Sequence, residues 1–133
     1  MLVVEDDPEV QKSLKKTMQR ADAQDDLFFV RNGKEAIEFL EKALSKPNIR
    51  QPLPYCIILK LNMPLLNGKE TLQILKNHPQ LNGIQVIILS VTKPKFDVMA
   101  CYRLGAYAYL QNPSDLGNLV HVVKTLRETV FHG

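Results

Sequence analysis

The chain has 133 residues, of which 45% are hydrophobic and 23% charged, and a net charge of +3 at pH 7. That length suits one domain, expected to span 1–133, with a core that needs neither disulfides nor a structural metal. Its basic residues (Lys12, Lys15, Lys16, Lys34, Lys42, Lys69, Lys93, Lys124, Arg127) are scattered, which argues against nucleic-acid binding, and no apolar run approaches the roughly 20 residues of a bilayer-spanning helix.

Leu2-Val3-Val4 is the first of five short apolar runs that read as strands. Glu5-Asp6-Asp7 follows at once, too early and too acidic for a signal peptide, so a cytoplasmic protein is expected. Asp7-Pro8 predicts a cap and first turn, since proline is tolerated where the amide would be unpaired anyway. Val10, Leu14, Met18 and Ala21 then recur at helical spacing. Leu27-Phe28-Phe29-Val30 is the second strand, and Asn32-Gly33 turns into a helix carrying Ala36, Ile37, Leu40 and Leu44. From Ser45 to Pro54 three prolines and few apolar residues predict a surface loop. Cys56-Ile57-Ile58-Leu59-Lys60-Leu61 is the third strand, followed by an Asn67-Gly68 turn and a helix marked by Leu72 and Leu75. Val86 to Ser90 is the fourth strand, with a helix through Val98, Cys101, Tyr102 and Leu104. Tyr107-Ala108-Tyr109-Leu110 is the fifth. Past Pro113, Ser114 is the candidate cap of a last helix through Leu116, Leu119, Val120, Val123, Leu126 and Val130. Cys56 and Cys101 read as small buried residues in a reducing compartment.

Strict strand–helix alternation with near-continuous apolar strands predicts a doubly wound α/β domain. Five parallel strands in the flavodoxin-like order 2-1-3-4-5, with five helices on the two faces, are the expected topology. The functional crevice of such a sheet lies at the carboxyl ends of its strands, where the first and third diverge. That rule selects Glu5, Asp6 and Asp7, Lys60 to Asn62, Ser90 and Asn112.

Each of these residues carries two readings. Glu5 and Asp6 suit a hard cation such as Mg²⁺, or equally the positive end of the first helix. Ser90 is an anion-binding hydroxyl or a turn former, and Tyr109 a functional aromatic or a half-buried core residue. Lys60 is the anomaly, because it interrupts a strand covered on both faces, where an unpaired ammonium is costly. It is expected to pair with Glu5 or Asp6.

Taken together, Val4-Glu5-Asp6-Asp7, Lys60-Leu61-Asn62-Met63-Pro64 with Gly68, Ser90, Gly105-Ala106 with Tyr109, and Asn112-Pro113 resemble the receiver domains of two-component response regulators. The resemblance covers nearly the whole chain. Arg50-Gln51-Pro52-Leu53-Pro54 before the third strand is similar to the loop of stand-alone receivers that partner cyanobacterial phytochromes. In that family an acidic pair binds Mg²⁺ and an aspartate ending the third strand accepts a phosphoryl group from a histidine kinase. The resemblance gives Glu5 and Asp6 the acidic pair, Asn62 the backbone metal ligand, Ser90 the phosphate-holding hydroxyl and Tyr109 the switch aromatic that turns inward on activation. Two positions depart: Lys60 stands where the phospho-acceptor belongs, and Asn112 where the family has a lysine.

The expected function is therefore a phosphorylation-independent pseudo-receiver, neither an enzyme nor a cofactor protein, with Lys60 replacing the metal at Glu5 and Asp6. A metal, if bound, would use Glu5, Asp6 and Asn62. No output domain is expected past the last helix, so signalling is expected through the surface, to protein partners such as a sensor histidine kinase or phytochrome. The resemblance implies a homodimer through the fourth helix, fifth strand and fifth helix, around Phe96 to Leu104 and Gly117 to Val130, with Lys124 and Arg127 alongside. The alternatives are a receiver that keeps phosphotransfer or Mg²⁺ through Asp6 or Asp7, and a flavodoxin-like FMN binder. The last lacks a glycine- or serine/threonine-rich phosphate loop after the first strand, where this chain is acidic.

Overall fold

The computed structural model describes residues 1–22, 27–45, 53–63 and 65–132, with side chains to residue 129. Most of the Ser45 to Pro54 loop, Pro64 and the side chain of Val130 therefore lie outside the described residues. In chain order the elements are β1 (Leu2–Val4), α1 (Pro8–Arg20), β2 (Phe28–Val30), α2 (Gly33–Ser45), β3 (Cys56–Lys60), α3 (Gly68–Asn77), β4 (Gln85–Ser90), α4 (Lys95–Arg103), β5 (Ala108–Gln111) and α5 (Leu116–His132). The strands form one parallel sheet in the order β2-β1-β3-β4-β5, as the alternation predicts.

Alternation along each strand divides the core into two layers. Val3, Ile58, Ile87, Leu89 and Leu110 face Leu14 and Met18 of α1 and Leu119, Val123 and Leu126 of α5. Leu2, Val4, Ile57, Leu59, Val86, Ile88 and Tyr109 face Ala36 and Leu40 of α2, Leu72 and Leu75 of α3, and Cys101 of α4. Burying each such leucine, isoleucine or valine contributes about 1.5–3 kcal/mol, so the period-two pattern of the strands is also the main source of stability.

Local signals place the helices. Asp7 caps α1, its carboxylate accepting the Glu9 amide with Pro8 in the first turn. Asn67 and Glu70 form a reciprocal capping box at α3. Several expectations shift, with Leu27 and Leu61 falling just outside β2 and β3. Tyr107 precedes β5 with 43% of its surface exposed, while Gln111 extends the strand by pairing with Ser90. The cap of α5 falls on Asp115 instead of Ser114: Asp115 O accepts the Leu119 amide, and its carboxylate closes back on the Gln111 amide at 2.8 Å.

Candidate functional site

β1 and β3 are neighbours in register, Val4 opposite Leu59, so the residues just past them share the carboxyl rim of the sheet. Glu5 is held there by its own backbone. Its amide donates to Val30 O at 2.9 Å, and its carbonyl accepts Gln11 Nε2 at 2.6 Å. Lys60 is fixed by the close seating of α3. The Gly68 amide donates to Leu61 O at 2.8 Å, and a Cβ on Gly68 would lie 2.7 Å from Lys60 O. Only glycine allows that approach.

The Lys60 ammonium reaches across and donates to Glu5 Oε2 and to Asp6 Oδ1, both at 2.9 Å. The Glu5 side chain is 5% exposed, that of Lys60 30% and that of Asp6 42%, so the pair grades from core to solvent. Glu5 Oε2 also accepts the Asp7 amide at 3.0 Å. Burial pulls the Lys60 pKa down, but the hydrogen bonds to Glu5 and Asp6 more than offset it and hold the pKa above the ordinary lysine value. The same hydrogen bond from Lys60, with a smaller effect of Glu5, holds Asp6 below the ordinary carboxylate value.

Glu5, Asp7, Val10, Lys60, Asn62, Leu89, Ser90, Val91 and Asn112 line a crevice of about 160 Å³ beside this ion triad. It unites most of the residues that the strand-end rule selected; Asp6 and Leu61 are outside its lining, Asp6 joining the site through Lys60. The Ser90 hydroxyl faces the loop after β4, accepting the Thr92 amide at 3.3 Å. Asn112 is reached through its backbone, its amide donating to Ser90 O at 2.8 Å.

Tyr109 is not in the crevice. It lies in the core layer under α4, 2% exposed, and its hydroxyl donates to Thr92 O at 3.0 Å. The side chain is thus fully buried and pointing inward, and burial pushes the phenol's pKa up. Above it, Lys69 of α3 pairs with Asp97 of α4 at 2.6 Å and sits 5.2 Å from the Phe96 ring. Gln11, Gln111 and the Lys69–Asp97 pair are site neighbours that sequence reasoning missed. Gln11 alone left a signal, one helical turn beyond the Asp7 cap.

Cys56 and Cys101 are free and buried, and burial pushes the Cys56 thiol up to about 12. Among the described residues no helix is long and apolar enough to cross a membrane.

The family model of the response regulator receiver domain matches residues 1–124. Response regulator Rcp1 of Synechocystis sp. is 30% identical over 124 residues, covering 93% of this chain and 83% of that protein. The crystal structure of the Mn²⁺-bound form of Rcp1 superposes with a TM-score of 0.72 at 28% identity, covering 96% of this chain and 90% of the other. That of the phosphorylated cyanobacterial phytochrome response regulator RcpA gives 0.71 at 28% identity, covering 99% and 94%. The chain belongs to the receiver domains of response regulators, the modules of two-component signalling, and within them it is similar to the cyanobacterial phytochrome response regulators.

Proposed function

We propose that this receiver is a phosphorylation-independent interaction module, with Lys60 in the place of the phospho-accepting aspartate. The observation that carries the reading is the Lys60 ammonium, 2.9 Å from both Glu5 Oε2 and Asp6 Oδ1. An ammonium has no oxygen with which to attack a phosphohistidine, so no acyl phosphate forms at position 60. Nor do the residues present fit Mg²⁺, which asks for near-octahedral oxygen ligands. Glu5 and Asp6 are engaged by a fixed cation, and Asp7 already commits Oδ1 to the Glu9 amide. Asn112, where the family has a lysine, completes an exchange: the cation has moved from the end of the fifth strand to the third.

With Tyr109 already inward and bonded to Thr92 O, the reading is of a domain held in one state. It acts by binding and catalyses nothing. Its expected partners are proteins, a sensor histidine kinase or a phytochrome, in keeping with the phytochrome response regulators it is similar to. The surface offered is the α4–β5–α5 face, where Phe96 is 79% exposed, Tyr102 48%, Met99 43% and Tyr107 43%. Such an apolar patch suits a symmetric homodimer in the cytoplasm and not a nucleic acid. Sedimentation showing a monomer at tens of micromolar would count against the dimer.

A magnesium titration followed by NMR tests the pocket. The expected result is no saturable shift of the Glu5, Asp6 and Asn62 amides at millimolar Mg²⁺. Saturable binding there would refute the replacement of the metal by Lys60 and favour a receiver that retains metal chemistry through Asp6 or Asp7.

A further inference from the structure

Contacts outside the ion triad converge on the segment from Val91 to Asp97, which joins β4 to the first turn of α4. Gln111 Nε2 donates to Val91 O at 3.0 Å, and the Tyr109 hydroxyl donates to Thr92 O at 3.0 Å. Lys93 lies 3.6 Å from Asp115 Oδ2, the oxygen that also accepts the Gln111 amide. Asp97 is bound to Lys69. Two successive loop carbonyls are thus satisfied by side chains of β5, a strand whose register opposite β4 is fixed by pairing Ser90 with Gln111.

We propose that Gln111 is the centre of a latch that holds the β4–α4 loop, and with it the apolar side of α4, in one arrangement without a phosphoryl group. Gln111 is singled out by the number of elements it joins and not by burial, since its bond to Val91 O is solvent-exposed. Its backbone amide is anchored by Asp115 and its side-chain amide holds Val91 O, so one residue ties the loop, the end of β5 and the cap of α5 together. The Lys93–Asp115 pair is longer and 46% exposed on the lysine side, and such pairs contribute little. Lys60 is not part of this set, since its amine is engaged by Glu5 and Asp6. The latch goes beyond the proposed loss of phosphotransfer, and either can fail without the other.

Hydrogen exchange of the Thr92 to Val98 amides in the full chain tests it, compared with the α1 amides of the same sample. Gln111→Ala is expected to accelerate exchange in this segment roughly 5- to 10-fold, the effect of one lost hydrogen bond, and to leave α1 unchanged. Gln111→Glu keeps the size but lacks the N–H donor, and is expected to behave like Gln111→Ala. Unchanged exchange in Gln111→Ala would overturn the latch. So would acceleration spread equally over α1, which would mark a general stabiliser, or protection retained in Gln111→Glu, which would assign the side chain to packing alone.

Discussion

The Lys60 ammonium meets Glu5 Oε2 at 2.9 Å across 55 residues of sequence, and the same oxygen accepts the Asp7 amide at 3.0 Å. One carboxylate oxygen therefore joins the end of β3 to the start of α1, where Asp7 is the helix cap. Buried carboxylates persist only when paired and hydrogen-bonded, and Glu5 has both kinds of partner.

Removing the cation should leave that carboxylate exposed to its own burial. Lys60→Met keeps the stem and deletes the charge, and is expected to destabilise the fold by about 1–3 kcal/mol. The loss is smaller than for a fully buried pair because Lys60 and Asp6 are partly solvated. Urea denaturation would show it as a lower midpoint at an unchanged slope. A midpoint equal to the wild type would mean that the pair contributes nothing net.

The pH dependence follows from opposite shifts. Asp6 has a lowered folded pKa, so the unfolded chain binds more protons and the contribution of Asp6 is complete above its unfolded value, near 3.8. It is lost as pH falls through the folded value below that. Lys60 has a raised folded pKa, so its contribution is complete below 10.5 and is lost as pH rises through the higher folded value. Melting temperature against pH should therefore lose part of its acid-side slope in Asp6→Asn. An identical acid limb in the variant would contradict the Asp6–Lys60 coupling.

A third test concerns the end of α4. Gly105 has φ of +103°, and the Gly105 and Ala106 amides close on Tyr102 O and Cys101 O, both at 3.0 Å. This is a Schellman-type helix end, in which a side chain is strained. Gly105→Ala also places a Cβ 3.2 Å from the Lys76 side chain. A loss of about 1 kcal/mol is expected by chemical denaturation.

Much of the fold was legible because strands covered on both faces write themselves as apolar runs, and all five runs became strands, even edge strand β2, where Phe28 is 44% exposed. β5 was read one residue early, since Tyr107 is apolar but exposed, whereas Gln111 is polar but pairs in the ladder. Glu5, Asp6, Lys60, Asn62, Ser90 and Asn112 were legible as a group because chain topology alone brings strand ends together. Gln111–Val91 and Lys69–Asp97 were not, because they join residues 20 and 28 positions apart through side-chain directions that no periodicity encodes.

On the proposed function, Lys60, held by Glu5 and Asp6, leaves the receiver without a phosphoryl acceptor. The most direct measurement is the intact mass of the wild-type chain after incubation with acetyl phosphate and Mg²⁺. An unchanged mass is predicted. A gain of one phosphoryl group, on Asp6, Asp7 or any other acid of the crevice, would contradict it.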